Sequence, residues 1–147
     1  MCNYCGCREF PLIGRLTIEH EAIANAAGRL RAAITSGTGH PVALLDELLA
    51  LLIPHTDTEE RGLFVELRAE GSLTEAVDQL CDEHDDIHGV LGTVDRAAPD
   101  WAAVLAALDR LHRHIDNEEH GLFPAAVIAL PIPVWDRLTP QRPTAAA

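Results

Sequence analysis

The chain is poor in aromatic residues and in positive charge. Aromatic residues make up 4% of its 147 residues, and 11 basic residues stand against 23 acidic ones. The formal net charge of −12 would repel nucleic acids and anionic membranes, so neither is an expected partner. The chain lacks any run of about 18 apolar residues, which excludes a membrane-spanning helix. Its first residues lack an apolar signal segment, so we expect a cytoplasmic protein.

Alanine and leucine are abundant, and this balance favours helices over sheets. The length fits one domain with a real core. The apolar periodicity predicts helices at about residues 12–35, 41–69, 73–94 and 99–130, separated by glycine- or proline-containing breaks. Because the connections are short, the sequence predicts an all-α fold: an antiparallel up-down-up-down four-helix bundle.

The domain organisation follows from these boundaries. Residues 1–10 form a Cys-rich leader, 11–132 the four-helix bundle, and 133–147 a C-terminal tail that is expected to be partly disordered. Trp135 is expected to pack back onto the bundle. At the start of the third helix, Ser72 and Glu75 have the spacing of a capping box.

Polar side chains recur on or beside the apolar stripes of all four helices. Three pairs have i, i+4 spacing, which places both members on one helical face. A single His-x-x-x-Glu pair is a weak signal because such pairs are common on solvated surfaces, and a lone core histidine is also common. A helix bundle can nevertheless bring side chains from facing helices to one metal site. The sequence therefore predicts a two-metal site made by His20, His55, Glu59, His84, His88, His114 and Glu118.

The second and fourth predicted helices also share a local pattern. Residues 55–64 and 114–123 have His, Glu, Glu, Gly, Leu and Phe at the same offsets. This match predicts a twofold repeat, in which the first pair of helices is related to the second pair.

The order His, His-x-x-x-Glu, His-x-x-x-His, His-x-x-x-Glu, with Glu-Glu-x-Gly-Leu-Phe after both His-x-x-x-Glu units, resembles the hemerythrin-like (HHE cation-binding) family. The resemblance covers about residues 12–130. It implies two non-haem irons that share bridging carboxylates and an oxo or hydroxo group, with a position left for O2. It also implies how the ligands are divided between the irons. One iron would be bound by His84, His88 and His114, and the other by His20 and His55. The bridging carboxylates would be Glu59 and Glu118.

Besides a longer connection between the second and third helices, one feature departs from the oxygen-carrying members of that family. They place an aspartate five residues after the last helix's histidine, whereas here Glu118 stands at four and Glu119 at five. Either glutamate could bridge, and the parallel with Glu59 favours Glu118. The departure weakens any inference of oxygen transport.

The donor set is rich in nitrogen, with five imidazoles and two carboxylates. Imidazole suits iron, zinc and copper, so we predict iron and leave zinc or a mixed pair open. Ligating histidines usually donate their other N–H to a carboxylate. Glu19, Glu21, Asp85 and Asp116 are close enough in sequence to be such partners, although a solvated position is the commoner role for each.

The predicted function is the binding of O2 or a related small oxidant at this diiron centre. One alternative is a catalase- or peroxidase-like enzyme that consumes peroxide or NO, which needs open access and a proton donor near the metals. Another is an iron or oxygen sensor, or an iron-handling interaction protein. The expected ligands are O2, peroxide or NO, and the sequence indicates no particular protein partner.

The four cysteines have no assigned role at this stage. Cys2, Cys5 and Cys7 could hold zinc together with a fourth ligand, or be exposed thiols. A reducing cytoplasm makes structural disulfides unexpected. Cys81 lies three residues before His84 on the same helical face, as a small buried hydrophobe or as a redox contact of the metal site.

Overall fold

The computed structural model of the chain describes residues 6–138, and this part contains helices and turns but no strand. The all-helical character predicted from the sequence is therefore confirmed. No helix among the described residues is long and apolar enough to cross a membrane. The elements are a 3₁₀ turn at Cys7–Glu9, α1 at Pro11–Ser36, α2 at Pro41–Thr58, α3 at Phe64–Glu70, α4 at Thr74–Leu91, α5 at Trp101–Asn117, α6 at Phe123–Ala129 and α7 at Ile132–Leu138.

Local sequence signals explain most helix ends. After α1 the chain turns at Gly37, whose φ of 67° lies in the left-handed region that glycine adopts without strain. The side chain of Asp100 caps α5 by accepting a hydrogen bond from the backbone N–H of Ala103. The predicted capping box at Ser72 is wrong, because the Ser72 hydroxyl donates to Glu70 and no side chain caps α4.

The second and fourth long helical segments each contain one wide, π-helical turn. The first occupies Glu59–Leu63 between α2 and α3, and the second occupies Glu118–Leu122 between α5 and α6. The two turns lie at equivalent places in the sequence repeat, and each begins at a predicted ligand. Isolated π turns within helices occur frequently at functional sites.

Two apolar clusters lie along the helices, with a polar layer between them. On α1, Leu12, Ile13 and Leu16 belong to the first cluster, whereas Ile23 and Leu30 belong to the second. The buried polar residues of α1 fall between these two groups. The helices are therefore held together above and below a central layer that apolar packing does not fill.

The chain after residue 130 adds to the first cluster. Trp135 of α7 is buried, packs against Phe10 with ring centroids 4.9 Å apart, and donates its indole N–H to the Leu130 carbonyl at 3.2 Å. The predicted return of Trp135 onto the bundle is confirmed. Cys7 is buried and disulfide-bonded, contrary to the expectation of reduced cysteines. Cys2 and Cys5, like residues 139–147, lie outside the described residues.

Candidate metal centre

Six of the seven predicted ligands converge in the polar layer. They form two sets of four residues, and within each set one ligand atom per residue lies within 4.8 Å of the others. The two carboxylates belong to both sets, so two cations could share them. The first set is His20, His55, Glu59 and Glu118, and the second is Glu59, His84, His114 and Glu118.

All six side chains are buried, and most of their inward atoms have no partner. Glu59 and Glu118 are 0% exposed, and neither carboxylate has a hydrogen-bond partner on either oxygen. The Nε2 atoms of His20, His84 and His114 are also unpartnered. An unsatisfied buried polar atom costs about 1–3 kcal/mol, so this concentration would be strongly destabilising in an ordinary core. Imidazole nitrogen and carboxylate oxygen are metal-ligand atoms, so the residues fit a pair of metal ions.

Two contacts within the centre are short without being hydrogen bonds. Nε2 of His55 lies 2.7 Å from Oε1 of Glu59, and Nε2 of His114 lies 2.6 Å from Oε1 of Glu118. Both acceptor oxygens nevertheless lack hydrogen-bond geometry. Imidazole and carboxylate atoms this close together could ligate one cation.

On their outer side, all four imidazoles contact a carboxylate. A proton on Nδ1 donated to that carboxylate leaves the Nε2 lone pair directed into the centre, which is the orientation that metal ligation requires. The Nδ1–carboxylate distances are 2.7 Å for His20 to Glu119, 3.0 Å for His55 to Glu19, 3.0 Å for His84 to Glu60 and 2.7 Å for His114 to Glu83.

Of the four carboxylates considered from the sequence, only Glu19 holds one of these imidazoles. Asp116 instead pairs with the exposed His112 at 3.6 Å, and Glu21 and Asp85 are exposed. Sequence reasoning missed the other three partners, although the repeat contained a signal. In each half, one partner directly precedes a ligating histidine and the other directly follows a shared glutamate: Glu19 and Glu60 in the first half, Glu83 and Glu119 in the second.

The wide turns explain how adjacent glutamates serve two tasks. Glu59 is fully buried among the ligands, whereas its neighbour Glu60 is 37% exposed at the side chain and reaches His84. At the equivalent place Glu118 faces the ligands, and both carboxylate oxygens of Glu119 are occupied, one by His20 and one by Thr17. Of the two glutamates, Glu118 is therefore the one whose carboxylate oxygens lack other partners.

Phenylalanine rings fix two of the imidazoles. His20 stacks on Phe123 with ring centroids 5.7 Å apart and an interplanar angle of 7°. His84 stacks on Phe64 at 5.9 Å and 9°. Both phenylalanines are buried in the first apolar cluster, so they restrict rotation of the rings and exclude water from that side.

His88 is the predicted ligand that the structure does not bring into either set. Its Nε2 makes a 2.9 Å hydrogen bond with the Thr56 hydroxyl, and its ring meets that of His84 edge-on, with centroids 6.3 Å apart. His88 and Thr56 line a surface opening together with Glu60 and His84. His88 thus lies at the edge of the centre.

Neighbouring charges control ionisation within the centre. Burial alone would raise the pKa of Glu59, but its contact with His55 and the nearby imidazole charges lower it below the usual value. Burial opposes protonation of His55, yet Glu19 and Glu59 raise its pKa to about 9. Burial, helped by the charge of His84, lowers the pKa of His114 to about 4. Glu59 is therefore ionised at neutral pH and supplies negative charge for a cation.

The comparison with known families agrees with this arrangement. The pattern of the Hemerythrin HHE cation binding domain matches residues 11–126, which include all six converging ligands and His88. The chain matches no curated protein and no solved structure. With most of its length covered by that pattern, the chain belongs to the hemerythrin HHE cation-binding domain family.

Proposed function

We propose that this chain is a non-haem diiron protein that binds O2 or a related small oxidant in its buried centre. The observation that carries the proposal is the sharing of Glu59 and Glu118 between two sets of buried ligands whose inward atoms lack partners. Four imidazoles and two shared carboxylates suit iron, whereas magnesium and manganese prefer sites that are rich in oxygen ligands. Zinc or a mixed pair would be distinguished by elemental analysis.

In the proposed assignment, His20 and His55 would hold one iron and His84 and His114 would hold the other. Glu59 and Glu118 would be shared by both. His88 remains a proposed third imidazole of the second iron, on the grounds of its His-x-x-x-His spacing. To ligate, it would exchange its hydrogen bond with Thr56 for the metal.

When bound in the ferrous state, the two irons would supply two electrons for the reduction of O2. The protein itself positions the ligand atoms and shields the centre from water. The outer carboxylates hold each Nδ1 proton and so fix the direction of each Nε2 lone pair. Phe64, Phe123 and the leucines of the two clusters keep bulk water away from the centre, which favours reversible binding.

We also propose that the helices form the antiparallel up-down-up-down bundle predicted from the sequence. Support for the bundle comes from the packing of consecutive long helices, α1 with α2 and α4 with α5, and of α1 with α5. The short connections at residues 37–40 and 71–73 also favour antiparallel neighbours.

One observation favours an enzyme as a second candidate. A peroxide- or NO-consuming protein needs access to the metals and a proton donor beside them. The opening lined by Thr56, Glu60, His84 and His88 brings polar, protonatable groups to the edge of the centre. Catalase- or peroxidase-like turnover there would use the same ligands.

Two measurements test the proposal. Elemental analysis of protein from iron-supplied cells should give two irons per chain, and one iron or none would overturn it. Stopped-flow mixing of the diferrous protein with O2, and separately with peroxide, should then distinguish the candidates. A stable charge-transfer absorption band indicates binding, whereas repeated turnover indicates catalysis.

A further inference from the structure

The support of His55 extends one side chain beyond its outer carboxylate. Oε1 of Glu19 lies 3.0 Å from Nδ1 of His55, and the other oxygen, Oε2, accepts a hydrogen bond from Nε of Arg15 at 3.0 Å. Glu19 therefore lies between a histidine of the centre and a guanidinium that is 48% exposed at the surface. The carboxylate shares its negative charge between an imidazole and a cation.

The second half has the same arrangement with a neutral side chain at its outer end. Oε2 of Glu83 lies 2.7 Å from Nδ1 of His114, and Oε1 accepts a hydrogen bond from the amide of Gln79 at 3.3 Å. Residues 79–84 match residues 15–20 in the sequence, with Leu, Glu and His at the same offsets, so Gln79 stands at the position of Arg15. The two halves thus differ by one positive charge at this position.

The lengths of the two inner hydrogen bonds differ in the direction that this charge predicts. The side chains of Glu19 and Glu83 are 27% and 28% exposed, so water screens both to a similar extent. A carboxylate beside a guanidinium has part of its charge neutralised and is a weaker acceptor for a second donor. The distance from the carboxylate to Nδ1 is accordingly 3.0 Å in the half that contains Arg15 and 2.7 Å in the half that contains Gln79.

We propose that Arg15 and Gln79 are positioning residues that set how strongly His55 and His114 bind their metals, each acting through its carboxylate. A carboxylate that accepts the Nδ1 proton strongly makes the imidazole more basic at Nε2. His114 is therefore the stronger donor of the two, and the two metal positions differ although both have imidazole and carboxylate ligands. This consequence for metal binding rests on the proposed function, whereas the effect on the hydrogen bonds does not.

Exchanging the two residues tests the role of the charge. Arg15→Gln and Gln79→Arg give each half the side chain of the other, and Arg15→Lys is the control that keeps a positive charge at position 15. The proton NMR resonance of Nδ1–H moves downfield as its hydrogen bond strengthens, and it can be followed in metal-free protein. Arg15→Gln should move the resonance of His55 downfield and leave that of His114. Gln79→Arg should move the resonance of His114 upfield and leave that of His55, and Arg15→Lys should change neither.

Metal affinity provides the second readout. Cobalt(II), an oxygen-stable substitute for iron(II), is titrated into the full chain in competition with a chromophoric chelator. Arg15→Gln should tighten one of the two binding steps by about two- to fivefold, the factor that corresponds to an exposed ion pair. Gln79→Arg should weaken one step by a similar factor, and Arg15→Lys should remain close to the wild type.

The outcomes separate this inference from the proposed function. A wild-type chain that does not bind two cobalt ions overturns the proposed function, while the Nδ1–H resonances still decide whether Arg15 and Gln79 act on the imidazoles. Unchanged resonances in both exchange variants overturn the inference, and so do equal shifts at all four histidines, which would indicate a general field and not an effect through one carboxylate. A shift in Arg15→Lys as large as that in Arg15→Gln also overturns it, because the charge would then not matter. Circular dichroism checks the fold of each variant, and either exchange alone is sufficient for the test.

Discussion

The two edges of the centre have equivalent positions but different chemistry. At one edge His88 and Thr56 form a hydrogen bond and line a polar opening that reaches His84. At the other edge the repeat places Ala24 and Ile115 in the equivalent positions, and both line a largely apolar groove between α1 and α5. The repeat therefore preserves the ligands and their outer carboxylates but not the surroundings. Metal binding would account for the ligands that the halves share, and access to the centre would account for the residues that differ.

The largest effect should come from a residue that belongs to both halves. Glu59→Ala removes a shared carboxylate, so the variant is expected to lose most of both irons. His84→Ala removes a ligand of one set only and should lose mainly one iron. Iron per chain, measured on folded protein of each variant, checks the difference. Equal losses from the two variants would contradict the sharing of Glu59.

Removal of metal should destabilise the whole domain. Ligand binding at a free concentration of 100 Kd stabilises the folded state by about 2.7 kcal/mol. For a domain of this size the corresponding fall in Tm on chelation is roughly 5–10 °C. Thermal unfolding followed by circular dichroism, with and without chelator, measures it, and the Glu59→Ala variant serves as control because its Tm should respond little to chelator.

Substitutions of the outer carboxylates should have the next largest effect, a loss of metal affinity that differs from one carboxylate to another. Glu119→Gln removes the charge of a nearly buried group that also holds Thr17, so we expect a loss of about 10–100-fold in metal affinity. Glu60→Gln changes a more exposed group and should cost less. Cobalt titration of both variants makes the comparison. A larger effect from Glu60→Gln would show that the contribution of these carboxylates to metal affinity does not increase with their burial.

A smaller effect on iron content should come from His88→Ala, which gives this edge the residue that the other edge has at position 24. Six converging ligands remain in the variant, so it should keep more iron than His84→Ala does. Thr56→Ile, the matching change at the partner position, should leave iron content unchanged but slow the entry of azide, measured by stopped-flow absorbance. Loss of a full iron from His88→Ala would instead show that His88 contributes as much to metal binding as His84 does.

The sequence was informative about the centre where the relevant geometry is local. His55 with Glu59 and His114 with Glu118 could be paired from i, i+4 spacing, because one helical turn fixes their relative directions. The same spacing also advances about 6 Å along the axis. His88 can therefore share the face of His84 and still lie outside the group of ligands.

Features that depend on contacts between helices could not be read from spacing. Which carboxylate reaches Nδ1 of His84 or of His114 depends on how far one helix is displaced along another. Glu60 and Glu83 were missed for this reason, whereas Glu19 was found only because it adjoins His20. The helix Ile132–Leu138 was also not predicted, since Pro131 and Pro133 suggested only an end to the preceding helix.

The wide turns at Glu59–Leu63 and Glu118–Leu122 also constrain how this segment can change in length. Each turn accommodates a residue more than a regular α-helical turn would need. Removing one residue from the regular part of either motif, residues 55–64 and 114–123, would rotate everything beyond it by about 100° relative to the ligating histidine. Phe64 or Phe123 would then face away from the imidazole it now supports. Insertions and deletions should therefore be tolerated in the connections between helices long before they are tolerated inside these two motifs.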